Sequence, residues 1–232
     1  MTVRPTIAEV LTEYLAAEKE RVAPSTFAKY TDVIELLKHS LDRYAPNGLA
    51  KTEHALWEKQ FNADGDAHKE FCDIFGPGQI LPNVGKFLNY FMVHKVIAGG
   101  DLLRASATVT KKLARWLADH GYVAIEDAAV AVEQGADAAR DLPAAAKLAA
   151  ILYDLTAARF RPRESDIEGR FGITKVESRR IWLRDEDDGR DYGAVPLPEV
   201  ATKLCRVGWT ISGAVRRSGK GWHLVEAFGA YP

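Results

Sequence analysis

The chain has 232 residues, 47% of them hydrophobic and 27% charged, with a net charge of −1. That is ordinary globular composition, large enough for one big core or two modest ones, and it excludes a disordered chain and a wholesale polyanion binder. The charge is uneven: residues 144–232 carry 15 basic and 12 acidic side chains, a net of +3, whereas residues 1–143 carry 16 and 20, a net of −4.

The first helix is expected from Thr6 to about Arg21. Thr6 and Glu9 form a capping box, and Ile7, Val10, Leu11, Tyr14 and Leu15 recur at helical spacing. Pro24-Ser25-Thr26 restarts the chain. Phe27, Tyr30, Ile34, Leu37 and Leu41 then give a second amphipathic helix, closed by Pro46-Asn47-Gly48. Residues 49–82 carry Trp57, Phe61, Phe71 and Phe75 around a polar stretch and end in Gly76-Pro77-Gly78, which reads as short helices under a loop.

Residues 83–97 are apolar nearly all round, as in the middle of a bundle. After Gly99-Gly100, a helix over roughly 104–120 buries Val109, Leu113, Trp116 and Leu117, and Gly121 caps it in the left-handed conformation. Residues 126–142, Ala-rich, acidic and broken by Gly135, read as a connector, and Pro143 suits the start of another helix.

Beyond Pro162 the hydrophobic period becomes two. Phe171 and Ile173, Ile181 and Leu183, Trp209 to Val215, and Trp222 and Leu224 mark short strands, with turns at Ser178-Arg179, Asp187-Asp188-Gly189 and Ser218-Gly219. The expected architecture is α+β: a helical bundle over 1–125, a connector over 126–142, and a helix plus a small antiparallel SH3-like β-barrel over 143–232. Closure is expected because it removes exposed strand edges.

Residues 6–125 resemble the helical core-binding domain of tyrosine recombinases and phage integrases. The resemblance rests on Thr6-Ile-Ala-Glu with Tyr14-Leu15, on Pro24-Ser25-Thr26 with Tyr30, and on Thr110-Lys-Lys-Leu-Ala-Arg-Trp-Leu-Ala-Asp-His-Gly-Tyr-Val123. It implies the DNA-clamping half of such an enzyme. The recombinase catalyst needs a His-x-x-Arg pair, and no histidine here is followed by arginine three residues later.

No nucleophile elbow, phosphate-binding glycine loop, dinucleotide fingerprint or zinc-protease helix occurs, so no catalytic residue is assigned. His68 and Cys72 lie four apart but lack partners at metal spacing. The acidic run 185–191 reads as a solvated hairpin loop, so neither a metal nor a cofactor is expected. Cys72 and Cys205 form no disulfide framework. Neither a secretory signal nor an apolar span long enough for a bilayer is visible, and a cytoplasmic protein without membrane contact is expected.

Two basic clusters remain. One is Lys111, Lys112 and Arg115 on the last bundle helix. The other joins Arg159, Arg161 and Arg163 to the hairpin tip with Arg216, Arg217 and Lys220. Such groups neutralise phosphates and gain from counterion release. The expected function is a non-catalytic protein that binds DNA or RNA through these patches, the alternative being an adaptor that binds another protein in a groove of the barrel.

Overall fold

The computed structural model describes residues 5–96, 98–157, 161, 163–219 and 221–232. The chain is α+β and divides into two compact units, residues 1–139 and 140–232.

In the first unit α1 (Ile7–Arg21) begins at the expected capping box: Thr6 N–H donates to Glu9 Oε2 at 2.8 Å and Glu9 N–H donates to Thr6 Oγ1 at 3.3 Å. Pro24 opens α2 (Pro24–Tyr44), where its missing N–H costs nothing. The segment after it folds as α3 (Lys51–Phe61), the single turn α4 (Phe71–Ile74) and short 3-10 turns. Residues 84–94 wind through α5 (Val84–Lys86), a π-helical turn (Phe87–Phe91) and α6 (Met92–His94). The extra residue of the π turn brings Phe87, Leu88, Phe91 and Met92 inward, yet Tyr90 stays 40% exposed, so this segment has an outer face after all.

Helix α7 (Gly100–Asp119) starts four residues earlier than its hydrophobic pattern suggests, because Asp101 supports its first turn and pairs with Arg104. Its expected stripe is buried, with Tyr14 of α1 edge-on to Trp116 at 5.5 Å. Gly121 ends the helix at φ +72°, and Tyr122 N–H reaches back to Leu117 O at 2.9 Å.

The stretch expected as a connector, 126–142, is helical, within α8 (Ile125–Ala157). Gly135 is no break. A Cβ there would meet Ala107 O at 3.1 Å and Lys111 Cβ at 3.2 Å, so glycine lets α8 lie close against α7. Pro143 sits inside this helix rather than at its start, and it removes the amide that would bond to the Ala139 carbonyl. The division between units falls directly after Ala139.

The second unit contains residues 140–157 of α8, β1 (Ile167–Glu177), β2 (Arg180–Asp185), β3 (Asp191–Pro196), the turn α9 (Glu199–Thr202), β4 (Thr210–Ser218) and β5 (Gly221–Tyr231). The strands form one antiparallel sheet in the order β3-β2-β1-β4-β5. The expected SH3-like barrel is not closed. Strand β3 is short, carries Ala194 at φ 49°, pairs with β2 through a register shift, and ends on Pro196, which has no N–H to donate to β5. Ala145, Leu148 and Leu152 of α8 pack instead among Phe171, Ile173, Ile181, Leu183, Ile211 and Val215, so a helix fills the space that a closed barrel would pack with its own side chains. Trp209 is buried, and Trp222 is half-buried with its ring edge-on to Tyr192 at 4.7 Å.

Candidate anion-binding cleft

A cleft of about 500 Å³ in the second unit lies at the end of edge strand β3 and beside edge strand β5, where the sheet stays open. Pro196, Leu197 and Pro198 line one wall and His223, Leu224 and Val225 of β5 the other. Leu155 and Thr156, in the last turn of α8, complete an apolar lining, and Arg161, Arg179 and Arg216 stand around it. No carboxylate is among the described residues that line the cleft.

Each basic group is placed by local structure. Arg179 occupies the two-residue turn between β1 and β2 at φ 63°, an uncommon conformation for a side-chain-bearing residue. Its carbonyl accepts from Leu197 N–H at 3.0 Å and its N–H donates to Thr202 Oγ1 at 3.4 Å, which ties the turn to α9. Arg216 of β4 stands opposite His223 of β5 in the ladder. Its guanidinium grips Asp166 with two donors, Nη2 to Oδ2 at 2.7 Å and Nε to Oδ1, and Nη2 also donates to the Arg161 carbonyl at 2.7 Å. This pair is nearly enclosed, with side chains 13% and 11% exposed, and the hydrogen bond from Arg216 holds the Asp166 carboxyl below the usual range.

The Arg216–Asp166 pair is close to neutral. Arg161 and Arg179 line the cleft beside it, and Arg179 lies near enough to Glu199 to favour its ionised carboxylate.

Of the expected basic residues, Arg161 and Arg216 meet in this cleft. Arg163 is exposed and fixed by its backbone N–H, which donates to Asp166 Oδ2 at 2.9 Å. Arg217 is exposed, and strand alternation turns it away from Arg216. Arg159 and Lys220 lie outside the described residues. On α7, Arg115 and Lys112 are exposed, whereas Lys111 is half-buried with its Cβ against Gly135. Lys112 donates to the Tyr30 hydroxyl at 2.6 Å and lies 5.3 Å from that ring's centre.

The acidic run is consumed internally. Asp185 accepts from the Asp187 backbone N–H at 2.9 Å, Glu186 accepts from Thr210 and from Arg170 at 3.0 Å, and Asp191 takes a double hydrogen bond from Arg184. Among the described residues no group of three His, Cys, Asp or Glu side chains is placed to hold a metal. Burial pushes the Cys72 thiol up, and His68 turns its Nδ1 to the Phe61 carbonyl at 2.6 Å.

Arg179 and His223 were not among the expected site residues. Ser178-Arg179 is legible only as a turn, and His223 only as a position between the strand residues Trp222 and Leu224. The residues that build the seam come from four separate parts of the chain, and no local pattern joins them. Comparison with protein-family models, with curated proteins and with solved structures finds no match to this chain.

Proposed function

We propose that this protein binds nucleic acid, with the cleft at the open seam as the principal contact for a single-stranded segment. The observation that carries the reading is the grouping of Arg161, Arg179, Arg216 and His223 over an apolar lining free of described carboxylates. Guanidinium groups bind phosphate oxygens in a planar, two-donor geometry, and the apolar lining suits a base face. A concave seam of this size accepts an extended strand more readily than a duplex.

The resemblance of residues 6–125 to a recombinase core-binding domain adds support for DNA, through exposed Arg115 and Lys112 on α7. The net −4 of residues 1–143 keeps that face a secondary contact. No catalytic step is assigned.

Fluorescence anisotropy with a labelled oligothymidylate tests the reading. Wild-type protein should bind at low salt, and the double variant Arg161→Gln, Arg179→Asn should bind at least about tenfold more weakly, since a charged hydrogen bond is worth about 1.5–3 kcal/mol. Asparagine at 179 keeps a residue tolerant of positive φ. The adaptor reading is favoured by a different observation: β3 and β5 leave unpaired strand edges beside the seam, where an extended acidic peptide could dock. Binding of such a peptide with no binding of the oligonucleotide would select it.

A further inference from the structure

Two cavities of the first unit meet at Gly78. One, of about 260 Å³, lies between the 78–82 turns and the start of α8. The other, of about 750 Å³, is lined by Pro5, Glu53, Pro77 and Tyr122. Consecutive residues Tyr122 and Val123 line one cavity each. We propose that together they form a docking groove for an extended segment of another protein, apolar in its middle and basic at its ends.

The walls are set by local structure. Asp127, Val130, Ala131 and Gln134 follow one another at i, i+3, i+4 and i+7 along α8, so they share a face. Val130 is 57% exposed, an apolar side chain left in water in the same cavity as exposed Pro82 and half-buried Val123. In the larger cavity the Tyr122 ring is held in place. Its hydroxyl donates to Glu13 Oε2 at 2.6 Å, and the ring tilts against Trp116 at 5.7 Å. A Cβ at Gly78 or Gly121 would meet nothing within 4 Å, so the backbone is uncovered there and another chain can approach it closely.

The charges select a basic partner. Glu53 and Asp127, one in each cavity, are the only charged side chains among the described residues that line the groove. Neither has an ion pair among the described residues. Glu53 is fixed by two neutral donors, the Ala50 N–H at 3.3 Å and Gln79 Nε2 at 3.5 Å, so its charge is uncompensated. Asp127 is exposed in the first turn of α8, with Glu126 beside it. The helix start there carries about half a positive charge, less than the two carboxylates together. An apolar groove with a carboxylate in each half repels an acidic strand and favours one with Lys or Arg at both ends.

Fluorescence anisotropy with the full-length protein and three labelled peptides tests the proposal. Each peptide carries a Leu-Pro-Pro-Leu-Pro core, which proline keeps extended, flanked at both ends by a pair of arginines, serines or glutamates. The arginine-flanked peptide should bind at least about tenfold more tightly than the serine-flanked one, and the glutamate-flanked one should not bind. Asp127→Asn should weaken the arginine-flanked peptide about tenfold and Val130→Ser about threefold, both with melting curves close to wild type. Glu20→Gln removes an exposed carboxylate at the end of α1 far from Pro5 and should leave the affinity unchanged. Equal losses in Glu20→Gln and Asp127→Asn would mean general attraction to an acidic surface and would overturn the groove. Equal affinity for the three peptides, or no binding of the arginine-flanked one, would overturn it too. The nucleic-acid reading does not enter this test.

Discussion

Arg216 and Asp166 set the acid-side behaviour of the cleft. The Asp166 carboxyl is held below its ordinary value of 3.8, chiefly by the hydrogen bond from Arg216. A depressed carboxyl contributes stability that is present above its unfolded value and is lost as pH falls through its folded value. Asp166→Asn should therefore melt below wild type at neutral pH, with the gap closing on acidification below about pH 4, where wild-type Asp166 takes up its proton. Melting curves at stepped pH check this. A gap that stays constant down to about pH 2 would mean that the pair contributes nothing through its charge. The same variant releases Arg216 from its carboxylate, so oligonucleotide affinity should rise while stability falls. A purely structural pair would lower both.

At the scale of elements, the sequence was most legible where one helix or turn decides its own geometry. Thr6 with Glu9, Pro24 and Gly121 mark α1, α2 and the end of α7 correctly because each acts through bonds within a few residues. Gly135 was misleading for the opposite reason. Its lack of a side chain serves a contact with Ala107 and Lys111, more than twenty residues away in sequence, which a local reading takes for a break. Gly135→Leu should cost about 1–3 kcal/mol by overpacking the α7–α8 contact, measured by denaturant unfolding. Stability equal to wild type would show that the two helices separate easily. The sheet was legible as strands and turns but not as an open sheet, since closure depends on Pro196, on Ala194 and on whether α8 occupies the space beside the sheet. The seam follows from that failure to close, so the site could not be read from strand patterns alone.

At the scale of the whole molecule, a chain of net charge −1 binds a polyanion only where its positive charge is gathered. The +3 excess of residues 144–232 is the electrostatic setting for the seam, and Arg161 and Arg179 are the groups expected to meet phosphates there. The most direct test is the slope of log affinity against log salt for a single-stranded oligonucleotide, wild type against the Arg161→Gln, Arg179→Asn double variant. Each lost phosphate contact on a single strand removes about 0.7 from the slope, so the double variant should be shallower by about 1.4. Identical slopes and affinities for the two proteins would contradict nucleic-acid binding at the seam.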